Sequence, residues 1–197
     1  LNKDETSFVR VKYSSKLLEL LKAPIEKQDK KLSEQDRFGI IRDAFVLSEA
    51  GYSSTDDALN LATAYKNDES YIVWSELATE MAKLKGILFG TETYPLFQSY
   101  VTDLFSKISK TIGWTVKKNE DHSVSLLRGM VLGVMGRNGD RETVKAAIAK
   151  FKSDKAGKEK MDADLRGMVY VIVAENGGKK EYEMFTKMYR KTTFEEE

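Results

Sequence analysis

Apolar positions recur at three- and four-residue spacing along most of this chain, the period of a helix with one buried face. Ile40, Ile41, Ala44, Phe45, Leu47 and Ser48 form such a face; Ser33 caps the segment and Gly51 closes it, predicting a helix over Glu34–Ala50. A shorter helix over Lys16–Leu21 precedes it. Ser54, with Asp57 three residues on, opens another through Leu59, Leu61 and Tyr65. Asp68 reads as the cap of the next, which carries Tyr71, Ile72, Trp74, Leu77, Met81 and Leu84. Pro95 stands in the first turn of a helix holding Phe97, Tyr100, Val101, Leu104, Phe105 and Ile108.

The beginning of the chain breaks this rhythm. Between Phe8 and Tyr13, Val9, Val11 and Tyr13 alternate with Phe8, Arg10 and Lys12, which predicts a β-strand. No partner strand follows, and an unpaired strand leaves its backbone groups unsatisfied, so its sheet is expected outside this sequence. Residues 1–13 are therefore expected to be the last strand of a preceding domain, and residues 14–197 a helical-repeat domain. Thr192–Glu197 reads as the cap and acidic first turn of a further helix, so that domain is expected to be incomplete at its C-terminus.

The last third repeats itself. Leu127-Arg128-Gly129-Met130-Val131 recurs 38 residues later as Leu165-Arg166-Gly167-Met168-Val169, and Asn138-Gly139 recurs as Asn176-Gly177. Ala147 falls on Phe185 and Phe151 on Tyr189. Each unit reads helix, Asn-Gly turn, helix, and a period near 40 residues built of helix pairs is the mark of HEAT- or armadillo-like stacking. Arg37–Tyr65 is a looser copy with Gly51 at the turn. The expected fold is all-α: an α-solenoid of helix pairs with one residual N-terminal strand.

Composition narrows the chemistry. Lys and Arg (32) nearly cancel Asp and Glu (31), with the two signs interspersed, which argues against nucleic acid and an anionic membrane as partners. No apolar run approaches the roughly 20 residues that span a bilayer. Cys is absent and so is any Asn-x-Ser/Thr sequon, which suits a cytoplasmic location. Catalytic zinc usually takes two or three His or Cys ligands, and His122 is the sole His, so no cofactor is expected in this chain.

Other candidate sites reduce to ordinary roles. His122 lies between Asp121 and Ser123, but members of a triad converge from different parts of a fold, and a solvated loop histidine is the simpler reading. Asp36 and Asp43 share a helix face roughly 10.5 Å apart. With Arg37 and Arg42 nearby to keep them ionised, they read as cap and salt-bridge carboxylates. Tyr71 and Trp74 pack as an i, i+3 aromatic pair. The glycines of Leu-Arg-Gly-Met sit inside helices, where Gly129 and Gly167 are expected to permit close helix approach.

The block Asp36-Arg37-Phe38-Gly39-Ile40-Ile41-Arg42-Asp43-Ala44-Phe45-Val46-Leu47-Ser48-Glu49-Ala50-Gly51 resembles the start of the C-terminal domain in zinc aminopeptidases of the puromycin-sensitive, oxytocinase and glutamyl type. Glu69-x-Tyr71-x-Val73-Trp74 is similar to the segment that follows it there, and Leu1–Tyr13 resembles the last strand of that family's β-sandwich. The resemblance implies a parent enzyme whose zinc lies in a separate upstream domain, held by His-Glu-x-x-His and a distant Glu, with a Gly-Ala-Met-Glu-Asn loop gripping the substrate amine. None of these motifs occurs here. It further implies a non-catalytic domain that encloses the active-site cavity and limits peptide length, its partners being the parent's catalytic domain and peptide substrates. On that reading Asp36, Arg37, Asp43, Tyr71 and Trp74 form a structural signature. Lys83 and Lys85 are the candidates for the peptide C-terminal carboxylate, because a concave basic site favours that anion. A freestanding helical-repeat scaffold that binds proteins is the alternative.

Overall fold

Serine hydroxyls decide where the first helices begin. In the computed structural model, which describes residues 2–191, Ser14 opens α1 (Ser15–Glu26), Ser33 opens α2 (Glu34–Glu49), Ser54 opens α3 (Thr55–Ala62) and Ser70 opens α4 (Tyr71–Leu88). Each accepts a main-chain N–H of the first turn that would otherwise lack a partner. At α2 the Asp36 carboxylate also takes the N–H of Ser33, completing a capping box. Gly51 ends α2 at φ +77°, a conformation glycine adopts without strain. Pro95 stands in the first turn of α5 (Tyr94–Ile112), as expected. There follow α6 (His122–Arg137), α7 (Arg141–Lys155) capped by Asp140, α8 (Ala163–Asn176) capped by Asp162, and α9 (Lys179–Tyr189). The chain divides into two compact units, Leu1–Val131 and Leu132–Glu197, the division falling within α6. The helix expected from Thr192 lies outside the described residues.

Three local expectations are corrected. Phe8–Tyr13 forms no strand, nor is there any strand among the described residues; the fold is all-α. Alternation alone does not make a sheet without a second strand, and here α2 meets the segment's needs. Asp36 accepts from the N–H of Asp4 at 2.8 Å, Asp43 accepts from the N–H of Val11 at 2.9 Å, and Arg42 pairs with Glu5. The N-terminal segment is thus a strap laid along α2. Its Phe8 and Val9 side chains remain exposed.

Asp68 does not cap α4, because Ser70 does; Asp68 sits two residues ahead and accepts the N–H of Ser70 at 2.9 Å. The third correction concerns glycine. A methyl group at Gly167 would meet nothing within 4 Å. The close approach belongs to Gly133, against Met168, and Gly136, against Ile172. At Gly167 the repeated motif therefore does not mark the contact, which Gly133 and Gly136 of α6 make instead.

In the first unit the core gathers around Trp74, with Phe105 tilted against it at 4.8 Å between ring centroids and Tyr65, Phe45, Leu61, Leu77, Ile40 and Ile41 buried with it. The α2 face inferred from periodicity supplies Ile40, Ile41, Ala44 and Phe45. In the second unit α7 packs on α8 and α8 on α9. Phe151 is fully buried there, and its ring meets Tyr170 at 5.6 Å and Phe185 at 5.1 Å.

Candidate functional site

The residues that carry the strongest sequence signal meet where α2 faces the start of α4. Arg37 reaches Asp68 with two nitrogens, Nε to Oδ2 at 2.6 Å and Nη2 to Oδ1 at 3.3 Å, and donates its Nη1 to the Leu32 carbonyl at 3.1 Å. Asp68 is 3% exposed, so this is a bidentate pair largely shielded from water. Its main-chain carbonyl accepts the indole N–H of the fully buried Trp74 at 2.7 Å. The Tyr65 hydroxyl donates to the Arg37 carbonyl at 2.8 Å, and burial followed by the nearby Asp68 charge pushes the Tyr65 phenol well above its ordinary range. Arg37 therefore serves Asp68 and not the adjacent Asp36. Tyr71 is half-buried in the first turn of α4.

Asp36 and Asp43, seven residues apart, lie on one α2 face and hold the strap. Burial alone would raise the Asp36 pKa, but the N–H donors of Asp4 and Ser33 and the Ser33 hydroxyl prevail and lower it. Asp43 accepts the Val11 N–H, with Arg10 at 3.3 Å and Arg42 at 3.4 Å. On α4, Glu76 is half-buried, and burial, reinforced by Glu80, raises its pKa.

Lys83 stands against two carboxylates, Glu80 at 2.9 Å and Glu49 at 3.2 Å, and these bonds raise its pKa. Its side chain is 45% exposed. A peptide carboxylate would have to compete with both for the ammonium. Lys85, two residues on, is half-buried; the i, i+2 spacing puts the two ammoniums on different helix faces. The structure does not bring them together.

One feature escapes the sequence reading. Arg128, in the repeated motif, is fully buried: both terminal nitrogens grip Glu120 at 2.6 Å, and its Nε donates to the Gly113 carbonyl at 3.1 Å. It thereby fastens the loop after α5 to the end of that helix. The signal was the recurrence of Arg at this position; nothing local to it identifies Glu120. His122 is exposed at the start of α6, and the Ser123 hydroxyl donates to Asp121 at 2.6 Å, so no Ser–His pair forms.

Among the described residues no three His, Cys, Asp or Glu side chains converge into a set able to hold a metal in this part of the chain. None of its helices is long and apolar enough to cross a membrane.

A family model described as "ERAP1-like C-terminal domain" matches residues 1–197. Aminopeptidase M1 of Arabidopsis thaliana is 31% identical over 204 residues, covering 100% of this chain and 23% of that protein. Glutamyl aminopeptidase of Bitis rhinoceros is 31% identical over 199 residues, with 100% and 20% covered. Aminopeptidase 2, mitochondrial, of Saccharomyces cerevisiae is 29% identical over 170 residues, covering 85% of this chain and 18% of that protein. The chain thus spans about a fifth of these relatives' length.

Proposed function

Since the chain belongs to the ERAP1-like C-terminal domain family, we propose that it is the non-catalytic helical domain of a zinc aminopeptidase that removes N-terminal residues from peptides. In that role it encloses the cavity over the active site and limits the length of peptide admitted. The observation that carries this reading is the family match over the whole chain, together with relatives whose names are those of aminopeptidases. The composition supports it: with one His and no Cys, the parent's zinc is proposed to lie in a separate catalytic domain that is this domain's partner. The 197-residue chain alone is expected to release no amino acid from aminoacyl reporters; chelator-sensitive turnover by a clean preparation would overturn the non-catalytic assignment.

Length selection needs a group that senses the far end of the peptide. Lys83 is the proposed contact for its C-terminal carboxylate, with Lys85 adding positive charge from another face of α4. Lys83 keeps nearly half its side chain in solvent, so an incoming carboxylate can exchange with Glu49, its more exposed partner. In the full-length parent, charge reversal of both lysines should lower kcat/KM for peptides several-fold, as an exposed ion pair contributes about 0.2–1 kcal/mol. Small aminoacyl reporters, which do not reach the site, should be unaffected. Amidating the peptide C-terminus should reproduce the loss in the unmodified enzyme and add little in the variant. Equal responses to amidation in the two enzymes would sink the assignment of these lysines while leaving the domain role standing.

A further inference from the structure

We infer that a cleft beside α7 is a docking site for an acidic, partly apolar peptide segment. The cleft lies wholly within the second unit, has a volume of about 410 Å³, and is lined by Gly139, Arg141, Val144, Lys145, Ile148 and Asn176. Arg141 and Lys145 are one helical turn apart, which puts both cations on one side, roughly 6 Å apart along the axis. Val144 and Ile148 repeat the same spacing on the neighbouring stripe and give the cleft an apolar floor.

Among the described residues the two cations have no counter-ion. Both are exposed, and neither has an ion-pair or hydrogen-bond partner among the described residues. The nearest acids in sequence are committed elsewhere. Asp140 caps α7, accepting the N–H of Thr143 at 2.9 Å and its hydroxyl at 2.7 Å, and Glu175 pairs with Arg137 at 2.9 Å. Glu142 is one residue on from Arg141, about 100° round the helix, and does not line the cleft. Further along α7, Lys152 reaches Glu181 at 3.6 Å and Lys155 reaches Asp154 at 3.5 Å, so the cations beyond the cleft have partners of their own. Asn176 turns its amide nitrogen to the Gly136 and Ile172 carbonyls, at 3.3 Å and 3.0 Å, which leaves its amide oxygen to accept from a ligand.

These groups specify the occupant. Two carboxylates must meet Arg141 and Lys145. An extended peptide places side chains at i and i+2 on one side about 7 Å apart, close to the spacing of the cations. An aliphatic side chain beside them covers Val144 and Ile148, and a peptide N–H meets the Asn176 oxygen. Charge complementarity of this kind sets which partner docks and how fast, more than how tightly. The site stands apart from the peptidase reading and survives its failure.

The test is fluorescence anisotropy of the 197-residue chain with a labelled, acetylated and amidated probe centred on Glu-Gly-Glu-Leu. Saturable binding is expected at low salt, weakening several-fold near about 0.15 M salt, where the screening length falls to about 8 Å. The Gln-Gly-Gln-Leu probe should bind about tenfold more weakly, and the R141E/K145E variant should weaken the acidic probe by a similar factor. The K30E/K31E variant makes the same change in net charge on an exposed loop of the first unit and should bind within about twofold of the unmodified chain. I148S should cost about threefold by removing part of the apolar floor. Equal binding of the two probes, or equal losses in R141E/K145E and K30E/K31E, would overturn the site. Oligothymidylate that displaces the probe as readily as unlabelled peptide would reduce it to a non-selective anion patch. Self-association of the chain that R141E/K145E abolishes would make a second copy the occupant and equally overturn the peptide.

Discussion

Truncating Arg37 to Ala would strand the Asp68 carboxylate, whose side chain is 1% exposed, with Ser70 N–H as its remaining donor. Removing one partner of a buried pair costs about 3–5 kcal/mol, because the charge left behind is neither hydrated nor neutralised. The 13% exposure of the Arg37 side chain puts the expectation at the lower end, about 3 kcal/mol. Arg37→Lys should recover part of this but not all, since an ammonium cannot span both Asp68 oxygens and the Leu32 carbonyl as a guanidinium does. Urea unfolding followed by tryptophan fluorescence reads the first unit directly, as both tryptophans, Trp74 and Trp114, lie there. An Arg37→Ala midpoint equal to that of the unmodified chain would show the pair to be inert. Nothing near Arg37 in sequence announces this bond. Its partner is 31 residues away, and Asp68 looks from its neighbours like one more helix cap.

Helix starts and stops were legible wherever the determinant is local. Ser33, Ser54, Gly51 and Pro95 act within a turn of where they stand, so composition at the boundary suffices to find them. Contacts between helices were not, because a glycine's motif does not say which face its helix presents. The two kinds of glycine separate by experiment. Gly136→Ala presses a methyl into Ile172 across α8, and overpacking of about 1–3 kcal/mol outweighs the gain of about 1 kcal/mol in helix propensity. The second unit should be destabilised. Gly167→Ala meets open space and should raise stability by about 0.5–1 kcal/mol. Thermal melts followed by circular dichroism would decide it, and shifts of the same sign in the two variants would remove this account of α6 against α8.

For the molecule as a whole, acid is the condition to which these bonds are most sensitive. Among the described residues five carboxyls sit below their ordinary pKa. For Asp36, donors from Asp4 and Ser33 override burial; Glu120 is held by Arg128, Asp121 by the Ser123 hydroxyl, Asp154 by the Met161 N–H and Glu181 by the Gly178 N–H. A folded-state pKa below the unfolded one means that the stabilisation is complete above the unfolded value, near about 4, and is lost as pH falls through the folded value. These five should add no slope above about pH 5 and cost stability below about pH 4, while Glu76, whose pKa burial raises, takes some stability away as pH rises through its folded value. Asp36→Asn should be less stable than the unmodified chain near neutrality and approach it in acid. Denaturation series at several pH values would check this, and parallel curves for the two proteins would show that Asp36 takes no part.

The strap has a consequence for how this sequence can change over time. Asp36 and Asp43 grip main-chain N–H groups, of Asp4 and of Val11, and every residue except proline supplies one. Mutational drift at Phe8 and Val9, whose side chains stand in solvent, leaves that attachment intact. Positions 8 and 9 are thus free to wander, while proline is barred from positions 4 and 11. The two aspartates across from it are pinned.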